Sequence, residues 1–316
     1  MCRTPDDVDD VNFGRQSKRR EHRIPRDEPY FPYGLQEMSA PAQRRIATRV
    51  GELALVDEGE GRPVVLWPSL FSDHRLFTHV CAALGEGWRT LRLDGPGFGR
   101  SEPPRGEVQA DVYADAVLDV LDALGLARVL VAGCSWGGQV AAHLGVRAPA
   151  RVRGVLMMNT PLGPSLGGHA FERFGTRLFG HTRFWGDGVA RSMFSPSTQA
   201  AHPERVAAFV AAFPGFDRAA SAETVRTVMT RSPGLAEVLP QLTVPTTILM
   251  GAEDRLYPVA RLAPFVELVP GAVREIVPGC GHLAPIEAPG AVAAALRGLA
   301  ARAAAAEARR VACGED

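Results

Sequence analysis

From Arg45 onward the chain passes through short apolar stretches separated by polar turns, and the spacing of the apolar positions switches repeatedly between strand-like and helical. Ile46–Val50 and Glu52–Val56 read as strands, Gly59, Gly61 and Pro63 mark a turn, and Val64–Trp67 is a short apolar run of the buried-strand type. A loop over Pro68–His74 leads into a helix ending near Leu84, and Arg89–Leu93 is the next strand. Between residues 110 and 124, Val112, Ala116, Val117, Val120, Leu121 and Leu124 recur at helical spacing, and Gly125 stops that helix. Val129–Cys134 is again a buried strand; an Ala-rich helix follows and closes at Pro149, and Val152–Met158 is another strand. The alternation then stops. Residues 161–240 hold glycines, prolines and helical stretches such as Pro203–Phe213 and Ala222–Thr230. It resumes with Val244–Met250, a helix near Val259–Leu268, the strand Val273–Val277 and a closing helix from Pro289. Strands alternating with helices predict an α/β fold: a mostly parallel sheet flanked by helices, its core at 38–160 and 241–316, with an inserted helical cap at 161–240.

Residues 1–37 break this pattern. They are charged and proline-containing, without hydrophobic periodicity, and predict a disordered extension with no secretory signal. Met38 directly precedes the globular pattern, so Met1 and Met38 are both compatible translation starts.

Composition narrows the function classes. Basic and acidic residues balance at 35 each, which argues against nucleic acid or an anionic membrane as a partner. The five cysteines show neither paired nor metal-type spacing, so reduced thiols in a cytoplasm are expected. No apolar run approaches the ~20 residues that span a bilayer. With no metal-ligand spacing and no phosphate-binding glycine loop, no cofactor and no metal are expected, and the anticipated partner is a small-molecule substrate.

The chemistry gathers around Gly133-Cys134-Ser135-Trp136-Gly137, a Gly-x-Ser-x-Gly pattern set between a buried strand and a helix. A strand that turns at once into a helix strains the middle residue, and small neighbours, Gly138 included, let the backbones approach. The Ser135 hydroxyl would then stand clear of the turn, beside the positive end of a helix. Serine is too weakly acidic to attack a carbonyl unaided; it needs a base, and the base needs an orienting group. Two loops at the C-terminal ends of predicted strands, where parallel sheets place their sites, offer both. Gly251–Pro258 contains Glu253 and Asp254, and the glycine loop from Pro278 contains His282.

The order Ser135, Asp254, His282, together with Asp94-Gly-Pro-Gly-Phe-Gly-Arg-Ser101, resembles the serine-nucleophile, capped α/β-hydrolase family over roughly residues 45–305. The resemblance implies Ser135 as nucleophile, His282 as base and Asp254 as acid, preferred over Glu253 because it stands fourth from Gly251. Some members carry the acid after the strand that follows the nucleophile helix; here that strand ends in Asn159-Thr160, which has no carboxylate. The oxyanion hole is implied at the backbone N–H groups of Trp136 and Leu70. Most relatives have His-Gly in the latter loop, whereas Pro68-Ser69-Leu70 is similar to the Asn-Ser-Leu of enol-lactonase-like members. Phe71, His74 and Phe98, with Phe171, Phe174 and Trp185 of the cap, are candidates for the substrate pocket, ordinary packing being the competing role.

These expectations describe a cofactor-independent serine hydrolase acting on a small ester or lactone. A carbon–carbon bond hydrolase, or a cofactor-free perhydrolase or haloperoxidase, would use the same three residues. A ligand-binding receptor or scaffold on a hydrolase fold is the reading from another class. A haloalkane dehalogenase is disfavoured, since those relatives carry aspartate where this chain has Ser135.

Overall fold

The computed structural model describes residues 43–106, 108–163, 170–230 and 234–313; the extension expected at 1–37 lies outside them. The strands β1 (Gln43–Thr48), β2 (Gly51–Glu58) and β3 (Arg62–Trp67) are followed by α1 (Thr78–Leu84), β4 (Trp88–Leu93), α2 (Ala110–Ala123), β5 (Val129–Cys134), α3 (Trp136–Arg147) and β6 (Val152–Met158). Among the described residues five helices come next: α4 (Ala170–Phe179), α5 (Arg183–Met193), α6 (Pro196–Ala201), α7 (Pro203–Ala211) and α8 (Arg218–Thr230). The chain then completes β7 (Thr246–Gly251), α9 (Val259–Val266), β8 (Val273–Val277), α10 (Ala284–Glu287) and α11 (Pro289–Cys313). The first strand begins earlier than the sequence pattern predicts, and Val50 falls in the β1–β2 turn, which the Thr48 hydroxyl closes on the Gly51 carbonyl at 2.6 Å.

The eight strands form one sheet in the order β1-β2-β4-β3-β5-β6-β7-β8. Strands β3 to β8 run parallel, and β2 is antiparallel to β4. Successive residues of β6 show why helices cover both faces. A side chain on Gly154 would meet Leu299 of α11, whereas the next residue, Val155, packs against Gly145 of α3. With helices on both sides the central strand β5 is buried at all six positions, which is why it reads as a continuous apolar run rather than an alternating one.

Strand order also locates the site. The chain steps from β3 outward to β4, then returns across β3 to build β5 on the other side. The loops leaving β3 and β5 therefore diverge from neighbouring strands and open a crevice at the C-terminal edge, where doubly wound sheets bind ligands. The loops after β6, β7 and β8 leave along the same edge.

Cys81, Cys134, Cys280 and Cys313 are free thiols. No helix among the described residues is long and apolar enough to cross a membrane.

Candidate active site

Ser135 stands at the β5–α3 junction with φ 56° and ψ −121°, a conformation that costs a residue with a side chain about 1–3 kcal/mol. The neighbouring glycines make the turn possible. A Cβ on Gly133 would lie 1.9 Å from the Gly137 carbonyl oxygen, and one on Gly138 would lie 1.8 Å from Thr160 Oγ1. Trp136 is the first residue of α3, so its N–H has no acceptor within the helix and points, with the helix dipole, towards the region of the serine. Among the described residues only Phe71, Ser135 and Asn159 have positive φ without being glycine, and they follow β3, β5 and β6 respectively. The backbone strain is thus concentrated along one edge of the sheet.

The loop after β7 presents Asp254 and the loop after β8 presents His282, both almost wholly buried. His282 Nδ1 lies 2.9 Å from Asp254 Oδ2. A carboxylate only accepts, so Nδ1 carries the proton of this bond, and Nε2 is the ring position the bond leaves free. The other Asp254 oxygen accepts from the Leu256 N–H at 2.9 Å and the Tyr257 N–H at 3.0 Å. Burial pushes the Asp254 carboxyl up, but the charge and hydrogen bond of His282, the Tyr257 N–H and Asn159 outweigh it and hold the group below the usual carboxylate range. Glu253, the neighbouring carboxylate, turns to the insertion, accepting from the Ser197 N–H at 3.1 Å and the Ser197 hydroxyl at 2.5 Å. Among the described contacts no hydrogen bond joins the Ser135 hydroxyl to His282.

Asn159 belongs to this constellation, although the sequence marks it only by its lack of charge. Its Nδ2 donates to Asp254 Oδ2 at 3.0 Å and to the Gly281 carbonyl at 2.9 Å. Flipping the amide would bring three acceptors together, so the acid and the backbone beside His282 fix its orientation. Glu287 is the second missed residue. Its carboxylate accepts from the N–H groups of Gly281 and Leu283, which flank His282, and from the Ser195 N–H of the insertion, at 2.9–3.0 Å. The Gly-x-Ser-x-Gly elbow is local and readable in sequence; the Asn159 bonds and the Glu287–Ser195 bond cross long separations, and no spacing signals them.

The loop after β3 carries Leu70 and Phe71, both buried. Phe71 (φ 60°) stacks on Phe213 of the insertion with centroids 5.9 Å apart, and Phe98 meets Phe216 edge-on at 5.4 Å. Phe71 and Phe98 therefore lie where the core meets the insertion, while Phe213 and Phe216 are partners that sequence reasoning did not single out. The cap aromatics are placed differently from expectation. Phe174 is 64% exposed on the outer surface, and the Trp185 ring packs on Gly175, where an added Cβ would lie 2.0 Å from it. Trp185 joins α5 to α4 through this contact. The Phe171 side chain lies outside the described residues. His74 is anchored by Nδ1 to Asp94 Oδ1 at 2.7 Å. Asp73, His74 and Asp94 cluster tightly, but Arg75 pairs with Asp73, and the N–H groups of His74 and Arg100 bind Asp94, so protein donors already occupy the atoms a metal would need.

The insertion is fastened to this edge at several points. The His282 N–H donates to the Met193 carbonyl at 2.8 Å, Ser195 Oγ to the Gly279 carbonyl at 2.9 Å, and Thr224 Oγ1 to the Pro96 carbonyl at 2.7 Å. Beyond Trp136 a cavity of about 120 Å³, room for several waters, is walled by Tyr113, Trp136, Gln139 and His143 and by Thr227 and Val228 of the insertion.

A family model described as the alpha/beta hydrolase fold matches residues 62–289. Among curated proteins, the chain is 28% identical over 263 residues to the 2-hydroxy-6-oxononadienedioate/2-hydroxy-6-oxononatrienedioate hydrolase of a Pseudomonas species, covering 75% of this chain and 87% of that protein. It is 36% identical over 126 residues to haloalkane dehalogenase 2 of Mycobacterium tuberculosis, a match spanning 39% of this chain and only 44% of the dehalogenase. Among solved structures, the enol-lactonase from Burkholderia xenovorans LB400 superposes with a TM-score of 0.74 at 23% identity, covering 82% of this chain and 100% of the other, a likeness of fold.

The close approach at the elbow yields a stability test. Gly133→Ala places its Cβ against a backbone oxygen that no side-chain rotation can clear. It should lower the unfolding free energy by about 3 kcal/mol, at the upper end of overpacking costs; urea denaturation of the two proteins measures this, and equal midpoints contradict it.

Proposed function

We propose that this chain, which belongs to the α/β-hydrolase fold family, is a serine hydrolase that cleaves a small-molecule ester or lactone through an acyl-enzyme on Ser135. The observation that carries the reading is a strained serine at the strand-order switch, on the same sheet edge as a buried histidine whose Nδ1–H is held by a buried carboxylate. A histidine held this way has its Nδ1 proton engaged, and in its neutral form it presents Nε2 to take the serine proton. In free enzymes the serine–histidine contact is commonly long and tightens with substrate, which accommodates the absence of that bond here.

In the proposed reaction Ser135 Oγ attacks the carbonyl carbon as His282 Nε2 accepts its proton. The N–H groups of Trp136 and Leu70 receive the developing oxyanion. The imidazolium, held against Asp254, returns the proton to the departing alkoxide; water then repeats the sequence on the acyl-enzyme and frees Ser135. Asp254 stays ionised throughout, since its pKa is held low. The insertion acts as the cap, with Phe213 and Phe216 meeting Phe71 and Phe98 at the apolar side of the site.

A second reading keeps the same residues and cleaves a carbon–carbon bond. The named activity of the Pseudomonas relative, which matches most of this chain, favours it. A panel of esters, lactones and 2-hydroxy-6-oxo dienoates separates the two: the higher kcat/KM identifies the substrate class.

Three outcomes check the assignment. A fluorophosphonate probe labels the native protein once, at Ser135, and leaves Ser135→Ala unlabelled; stoichiometric labelling elsewhere overturns the nucleophile. Asp254→Asn folds normally but loses about 10⁴-fold in kcat, as expected when the base adopts the wrong tautomer; near-native turnover removes Asp254 from the mechanism. Asn159→Asp adds a negative charge beside the acid and favours protonated His282, so the acid limb of kcat/KM moves up by about one pH unit. A limb that stays in place with an unchanged melting temperature contradicts the role given to Asn159.

A further inference from the structure

The α4–α5 hairpin brings together exposed apolar side chains and exposed arginines, and it holds more of the exposed apolar side chains than any other described element. Phe174, Leu178, Phe179 and Phe184 are exposed there, half of the large apolar side chains exposed in the described protein, the two outermost phenylalanines at 64% and 74%. Phe174 and Leu178 are one helical turn apart on α4, while Phe179 ends α4 and Phe184 lies at the start of α5, so the last two flank the connecting turn. Trp185 anchors the hairpin from within, against Gly175. The phenylalanines are thus presented outward by a packed support.

Interleaved with them are Arg177, Arg183 and Arg191, all exposed, and the exposed His181. Asp187 is the only carboxylate between 174 and 193, which leaves three arginines less one aspartate, a charge of +2, in a chain that is neutral overall. Elsewhere Arg44, Arg49, Arg89, Arg147, Arg151 and Arg153 are held in ion pairs. Among the described residues Arg177, Arg183 and Arg191 have no carboxylate partner.

We propose that the α4–α5 hairpin docks on an anionic lipid bilayer, with Phe174, Leu178, Phe179 and Phe184 entering its interfacial layer and Arg177, Arg183 and Arg191 meeting the lipid phosphates. Exposed aromatics beside unpaired arginines on an amphipathic helix are suited to that boundary, where the arginine stems follow the apolar groups and the guanidinium stays among the headgroups. A second copy of the chain fits less well. Two-fold association sets each patch against itself and brings the same unpaired cations together. Four side chains around a hairpin turn also fall short of the roughly 800 Å² per partner of a stable protein interface. The balanced charge that argues against a membrane at the level of the whole chain averages this local excess away.

The test is cosedimentation of the purified full chain with vesicles of phosphatidylglycerol and phosphatidylcholine, and of phosphatidylcholine alone, with sedimentation velocity and melting temperature measured in parallel. The wild type should bind the anionic vesicles and lose affinity as salt rises. Phe174→Ser/Phe184→Ser should weaken binding about a hundredfold, near tenfold for each ring withdrawn. Arg177→Gln/Arg183→Gln should weaken it about 25-fold on anionic vesicles only, near fivefold for each charge. Both variants should melt with the wild type, since the changed side chains are exposed. No binding to anionic vesicles, or binding that survives both double substitutions, overturns the proposal. So does a concentration-dependent dimer that the phenylalanine substitutions abolish, which would assign the patch to a second copy.

Discussion

The Asp254 carboxylate is the point on which the site's geometry depends. It is buried, and a buried carboxylate persists only where donors replace the water it has lost. Here His282, Asn159, Leu256 and Tyr257 supply them. The four donors fix three pieces of chain: His282 the loop after β8, Asn159 the end of β6, and Leu256 and Tyr257 the loop after β7 itself. Asn159 passes the constraint on to the Gly281 carbonyl, and Glu287 holds the N–H groups on either side of His282 while reaching Ser195. The acid therefore organises the base, and the loop carrying the base is tied to the insertion through the His282 N–H and the Met193 carbonyl. Movement of that part of the insertion would disturb the histidine as well.

The same edge carries the strain. Phe71, Ser135 and Asn159 adopt positive φ at the ends of successive sheet neighbours, β3, β5 and β6. Strain of this kind persists only where surrounding packing and hydrogen bonds over-determine it. The wholly buried β5 and its glycine contacts do so for Ser135, and the bonds to Asp254 and Gly281 do so for Asn159.

Much of this was legible in the sequence, and what was not has a common cause. Strand and helix periods, the glycine-flanked serine and the two glycine loops are local patterns, and they placed the sheet, the elbow, Asp254 and His282. Asn159 looked like a missing carboxylate because its role depends on residues 95 and 122 positions away. The surroundings of Phe174 and Trp185 were not legible, because helical spacing divides a helix into faces without saying which face meets the core. The packing of Trp185 on Gly175 and the outward position of Phe174 depend on how α4 and α5 meet. Substrate class is illegible for a related reason: this chain is similar to proteins named as a 2-hydroxy-6-oxononadienedioate hydrolase, a haloalkane dehalogenase and an enol-lactonase, and a shared fold does not by itself give function.

The site rests on an ionised, buried Asp254 that holds the Nδ1 proton of His282. Proton NMR of the free protein tests it most directly, by searching far downfield for a slowly exchanging imidazole proton and assigning it with ¹⁵N-labelled histidine. One such proton is expected on His282 Nδ1, present in the wild type and absent from Asp254→Ala. A His282 ring protonated at Nε2 instead, or a downfield Nδ1 proton that survives removal of the Asp254 carboxylate, would contradict it.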